Sequence, residues 1–90
     1  MAERMGIAIR ILEVLAEESF PGLTRGELRT RLGLPPDTEI GARVRELRDY
    51  ASYGNFDVRV EHVTKSEVRY YLLGNERERA KTFLARGRAA

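Results

Sequence analysis

The side chains best equipped for chemistry in this sequence are its arginines, 14 of them against 2 lysines. A guanidinium presents a planar fork of donors that matches phosphate oxygens, or the edge of a guanine, better than the point charge of a lysine does. Arg43 and Arg45 share a stretch with Gly41 and Ala42, residues small enough for a backbone to approach a partner closely. Arg25 and Arg29 follow Thr24, where a helix is expected to begin and its free amides and positive dipole end attract anions. Lys65 stands between two hydroxyl donors, Thr64 and Ser66. Glu39, Glu46 and Asp49 oppose them, since a carboxylate near phosphate is repelled unless it accepts from a base amine or orients an arginine.

Other chemistries are poorly provided for. The chain has no cysteine, which excludes disulfides, thiolate zinc sites and thiol nucleophiles, and its single histidine, His62, cannot build a metal site unaided. No paired carboxylates, phosphate-cradling glycine loop or nucleophile beside a base stand out, so neither an enzyme nor a cofactor or metal is expected. Tyr50, Tyr53, Tyr70 and Tyr71 could stack on bases of a single strand. Tyr50 and Tyr53 fall where a helix turns toward a sheet and Tyr70 alternates inward, so these three are expected in the core. Tyr71 alone is left as a contact or interface residue.

Ninety residues, 33% charged and 42% hydrophobic, suit one domain spanning 1–90, with 1–73 as its core and 74–90 as a C-terminal basic helix or tail. No apolar run reaches the ~20 residues of a membrane span, and no leader-like segment opens the chain, so a cytoplasmic location is expected. From Ala2 to Glu18, Met5, Ala8, Leu12, Leu15 and Ala16 recur at helical spacing. Ile7, Ile11 and Val14 widen that stripe beyond the ~100° one contact needs. Either the sheet or last helix of the same chain covers them, or a second copy does.

A short second helix is expected over Thr24–Leu32, closed at its start by a Thr24–Glu27 capping box and at its end by Gly33. Pro35 and Pro36 forbid continuation. A third helix, capped by Asp37 or Thr38 and running to about Tyr50, turns Ile40, Val44 and Leu47 inward. Its outward sector then holds Ala42, Arg45, Glu46 and Asp49, flanked by Glu39 and Arg43. The period next changes from 3.6 to 2: Phe56, Val58 and Val60 alternate in one strand and Val68, Tyr70 and Leu72 in another, forming a hairpin. Asn75 and Glu78 suggest a cap for a terminal helix from Glu76 to Ala85 with Ala80, Phe83 and Leu84 on its apolar face.

The order helix, capped short helix, glycine turn, third helix and hairpin resembles a winged helix-turn-helix domain of the small bacterial or phage regulator type. Leu23–Leu34 is similar to the first helix and turn of that motif, residues 40–48 to its recognition helix, and the hairpin from Phe56 to Leu72 to its wing. One residue more than the usual bacterial spacing separates Gly33 from Ile40. The resemblance implies an α+β fold with a three-helix bundle, a two-stranded wing and an additional C-terminal helix. It also implies a transcription regulator binding double-stranded DNA, with the helix at 38–50 in the major groove and the wing at 56–72 on the backbone. The expected contacts are Thr24, Arg25, Arg29, Thr38, Gly41, Ala42, Arg43, Arg45 and Lys65. A homodimer through Ile7, Ile11 and Val14 or through the C-terminal helix is compatible with this reading.

The net charge of +2 does not itself name a partner. Residues 77–88 hold five basic groups, Arg77, Arg79, Lys81, Arg86 and Arg88, against Glu78, so the basic balance belongs to that segment. It either embraces DNA nonspecifically or frays in solvent. The mixed charge of the third helix supports an alternative from another class, a protein-interaction module that docks onto polymerase or another nucleoprotein assembly.

Overall fold

Capping and turn residues divide the chain into elements that the apolar stripes then pack together. The structure, a computed structural model, describes residues 2–89, with side-chain surroundings for residues 6–86. In chain order these are α1 (Ala2–Glu17), β1 (Leu23–Thr24), α2 (Arg25–Leu32), α3 (Ile40–Asp49), a single 3₁₀ turn (Ala51–Tyr53), β2 (Arg59–His62), β3 (Val68–Tyr71) and α4 (Gly74–Ala89). The fold is therefore α+β, with four helices and a three-stranded antiparallel sheet of order β1-β3-β2 among the described residues. The pairings Leu23–Tyr70 and Val60–Tyr70 place β3 at the centre.

The core is built from the stripes. Ala8, Ile11, Leu12, Leu15 and Ala16 of α1 are buried with Leu28 of α2 and with Ile40, Val44 and Leu47 of α3. Each large aliphatic side chain so buried contributes roughly 1.5–3 kcal/mol. The cover for the wide apolar sector of α1 comes from the same chain. α4 packs along α1, burying Ala80 and Leu84, while Ile11 is inaccessible and Ile7 and Val14 rest partly buried on the core. Ile11 is thus covered within the chain, while Ile7 and Val14 keep part of their surface. The contribution expected of Met5 lies outside the described side chains.

The α2 termini follow their sequence signals. The Thr24 hydroxyl accepts the Glu27 N–H at 3.1 Å and the Glu27 carboxylate accepts the Thr24 N–H at 2.8 Å. Gly33 ends the helix in the left-handed region at φ 66°, and the Leu34 N–H reaches back to the Arg29 carbonyl at 2.8 Å. Other boundaries differ from expectation. α3 begins at Ile40 with Glu39 in the cap position, so Asp37 and Thr38 lie too early to cap it, and the Thr38 N–H instead closes a turn on the Pro35 carbonyl at 3.1 Å. Asn75 is likewise no cap, since α4 already begins at Gly74. The alternation of Phe56, Val58 and Val60 stops being a burial pattern part-way: Phe56 and Val58 are buried before β2 starts, and Val60 is 38% exposed.

Candidate nucleic-acid interface

Turning Ile40, Val44 and Leu47 into the core leaves Ala42, Arg45 and Asp49 on the opposite side of α3. Arg45, Arg48 and Asp49 are exposed, as is Glu39 ahead of the helix, so positive and negative charges alternate along this face. Ala42, Arg45, Asp49 and Tyr50 border a shallow hollow of about 170 Å³ together with Arg43 and Glu46. Tyr50 was expected in the core, yet it is 54% exposed, its ring stacked at 6.0 Å on Tyr53, which does enter the core.

The outward sector is corrected at two positions. Glu46 is buried, and Arg43 beside it keeps only 14% of its side-chain surface, the two joined at 3.1 Å one helical turn apart. Pairing lets both charges leave water together, which neither does alone. Arg43, a candidate reader of guanine or phosphate, is thereby engaged within its own helix. The carboxylate that most directly opposed an anionic partner is engaged with it, and Arg45 and Arg48 remain as the outward guanidinium groups of α3.

Gly41 also changes role. Its open side looks toward the sheet, where a Cβ would stand 3.7 Å from the Tyr70 hydroxyl, an ordinary contact. The position therefore faces the sheet rather than a partner, and it has room for a methyl group. Since nothing is displaced and a glycine in a helix costs backbone entropy, Gly41→Ala is expected to raise stability by about 0.5 kcal/mol. A higher urea midpoint with an unchanged slope is the measurement that checks it.

A second group of candidates converges where the sheet meets α2. β1 runs straight into α2 while pairing with β3, which brings the start of α2 to the β2–β3 turn. Arg25 Nη2 donates to the Ser66 carbonyl of that turn at 2.9 Å. Arg69 of β3 reaches Glu27 at 3.3 Å. The hydrogen bond from the Thr24 N–H, with the Arg69 charge adding to it, lowers the Glu27 pKa below the ordinary glutamate value. Lys65 is exposed at the tip, where the Thr64 hydroxyl accepts the Glu67 N–H at 3.1 Å. Arg29 turns elsewhere: its Nε donates to the Thr38 carbonyl at 3.0 Å, fixing the α2–α3 connection. Thr24 is buried and its hydroxyl is committed to the cap. Of the nine expected contacts, Arg25 and Lys65 form one cluster, Ala42 and Arg45 another, and the rest hold the scaffold.

The chain matches no protein-family model, no curated protein and no solved structure.

The basic C-terminal segment is largely engaged as well. Arg77 donates to the Leu72 carbonyl at 3.3 Å, and Lys81 pairs with Glu78 at 3.5 Å. Arg79 lies over the Phe56 ring at 4.2 Å and donates to the Gly54 and Asn55 carbonyls and to Glu76. Arg77 and Arg79 hold α4 against the body of the domain, whereas the Lys81–Glu78 pair lies within the helix. Arg86 is exposed and Arg88 lies outside the described side chains. His62 is exposed on β2, and Tyr71 is half-buried with its ring edge-on to Phe20 at 5.0 Å. Among the described residues, no group of three acidic, histidine or cysteine side chains is placed to hold a metal ion, and no helix is long and apolar enough to cross a membrane. Arg48 and Tyr50 were missed as surface residues. For Tyr50 the reason is that the backbone leaves the helix after Asp49, which a wheel drawn to residue 50 does not register.

Proposed function

We propose that this chain is a winged helix-turn-helix domain that binds double-stranded DNA as a small transcription regulator. In this reading α2, the Gly33 turn and α3 form the helix-turn-helix, and the β2–β3 hairpin is the wing. The observation that carries it is the Arg25–Ser66 bond of 2.9 Å, which fastens the start of α2 to the hairpin tip. A duplex lying across that edge meets the N-terminal end of α2 with Arg25, and Lys65, as phosphate contacts. The outer face of α3 enters the major groove, with the Arg45 fork offered to a guanine edge and Ala42 to apolar base surface. The internal Arg43–Glu46 pair supports this reading, because it takes one carboxylate off that face.

The test is fluorescence anisotropy with labelled duplex DNA across a salt series. Binding is expected to weaken steeply with salt, with Arg25→Ala and Lys65→Ala each lowering the slope by about 1, and Arg45→Ala costing about 1–3 kcal/mol on a preferred sequence only. No duplex binding at low salt up to about 100 µM protein sinks the proposal. The balanced charge of the α3 face and the exposed Tyr50 beside its hollow favour the second reading, a protein-docking module. A partner that survives nuclease treatment in a pull-down, and is lost on Tyr50→Ala, selects that reading.

A further inference from the structure

The outer edge of the sheet offers a surface that the DNA reading does not use. With strand order β1-β3-β2, β2 has a neighbour on one side only among the described residues, and all four of its residues are exposed. Which backbone groups look outward follows from the ladder. Val63 donates to the Glu67 carbonyl at 2.9 Å, and in an antiparallel pair the bonded and non-bonded positions alternate. In the observed register, Glu61 opposite Arg69 and Arg59 opposite Tyr71 then occupy the bonded positions. The N–H and C=O groups of Val60 and His62 are left facing the open edge. Val60 and, just beyond the strand, Val63 are 38% and 43% exposed.

An open edge of this kind accepts another strand, and proteins usually guard it with charged side chains. Here the guard is self-complementary. A second β2 related by a two-fold axis must place outward residues opposite outward residues. Centred on Glu61 it sets Glu61 against Glu61; centred on Arg59 it sets Arg59 against Arg59. Centred on Val60 it sets Val60 against Val60 and each Arg59 against the Glu61 of the other copy, two attractive cross-strand pairs.

We propose that the domain self-associates through β2, forming a continuous six-stranded sheet in the register centred on Val60. The occupant is a second copy of this chain, and the inference is independent of what α3 binds. Arg59 already contacts Asp57 of its own chain at 2.9 Å, with both side chains about half exposed, so that pair competes little. A ladder this short covers less than a standard interface, which makes the association concentration-dependent rather than permanent.

Sedimentation equilibrium of the full chain tests it. The apparent mass is expected to rise with concentration from the 10.3 kDa of one chain toward twice that value. Arg59→Glu and Glu61→Arg are each expected to weaken association about tenfold or more, because both pairs turn repulsive. An equimolar mixture of those two variants is expected to recover it, since each introduced charge then faces its opposite. Val60→Lys, at an exposed position, is expected to be folded by circular dichroism and monomeric by sedimentation. A wild-type monomer at every concentration overturns the proposal. So does a dimer indifferent to these substitutions, or a mixture no stronger than its parts.

Discussion

Gly22→Ala is expected to cost the domain a large share of its stability. Gly22 is buried at φ +85°, immediately before β1, in a backbone conformation that an L side chain enters only at a cost of about 1–2 kcal/mol. A Cβ there would stand 2.0 Å from the Tyr70 carbonyl oxygen and 2.8 Å from the Tyr71 Cβ. Neither neighbour is a flexible side-chain end. Both belong to the central strand, so relief requires β1 to move off β3 and Leu23 to leave its place opposite Tyr70. Conformational strain and the lost pairing together are expected to cost about 3 kcal/mol or more, against the roughly 5–13 kcal/mol available to a chain of this size. Gly33→Ala supplies the scale: Gly33 is also left-handed, at φ 66°, but a Cβ there meets nothing within 4 Å. Only the conformational cost of about 1 kcal/mol is expected of it. Urea unfolding of both variants decides the matter, and a Gly22→Ala midpoint as high as that of Gly33→Ala refutes the steric account.

The contrast between these glycines illustrates what the sequence discloses. Gly33 follows a capped amphipathic segment, and its role could be read because helix ends obey local chemistry. Gly22 could be read only as part of a turn, since its constraint is the carbonyl of Tyr70, far along the chain. β1 escaped notice for a related reason: two residues cannot display an alternation, and pairing with β3 alone makes them a strand. Thr38 is a reasonable cap by type, but a turn closed on Pro35 delays the start of α3 to Ile40, which leaves Thr38 one residue short of the cap position. Val60 continued the alternation faithfully, but the hairpin had by then run past the edge of the core. On α3 the wheel placed Ala42, Arg45 and Asp49 correctly and misjudged Glu46, because periodicity ranks side chains by angle and does not register that Arg43 can draw a carboxylate inward. The candidate site was therefore visible as a list of cations, and tertiary contacts decide which of them are free to act.

Arg79 is the sharpest case, and its removal is the second large expected effect. The sequence places it in a basic segment that either embraces DNA or frays. In the structure its guanidinium donates to both oxygens of Glu76 at 2.7 and 3.1 Å and to the Gly54 and Asn55 carbonyls at 3.0 and 3.1 Å, and it covers the Phe56 ring. Glu76 in turn accepts the Asp57 N–H at 2.7 Å, so one ion pair ties α4 to the loop that leads into β2. Discounted for the 47% exposure of its side chain, Arg79→Ala is expected to cost about 2 kcal/mol. The pH dependence carries a sign. The hydrogen bond from Arg79 first, then the Asp57 N–H and the Arg79 charge, outweigh desolvation and hold the Glu76 pKa below the ordinary glutamate value of 4.5. A depressed folded pKa means that this stabilisation is complete above the unfolded value and is lost as pH falls through the folded one. Wild type is therefore expected to lose more stability than Arg79→Ala between neutral pH and pH 3, the gap narrowing by the Glu76 part while the carbonyl and Phe56 contacts of Arg79 persist. Glu76→Gln, which cannot titrate, separates this pair from Glu27, whose pKa is depressed in the same direction. If Arg79 were instead a free cation waiting for phosphate, its alanine variant would keep the wild-type urea midpoint at every pH and lose only duplex affinity. The two roles predict opposite results from one pair of measurements, and the contacts of the guanidinium place the effect in stability.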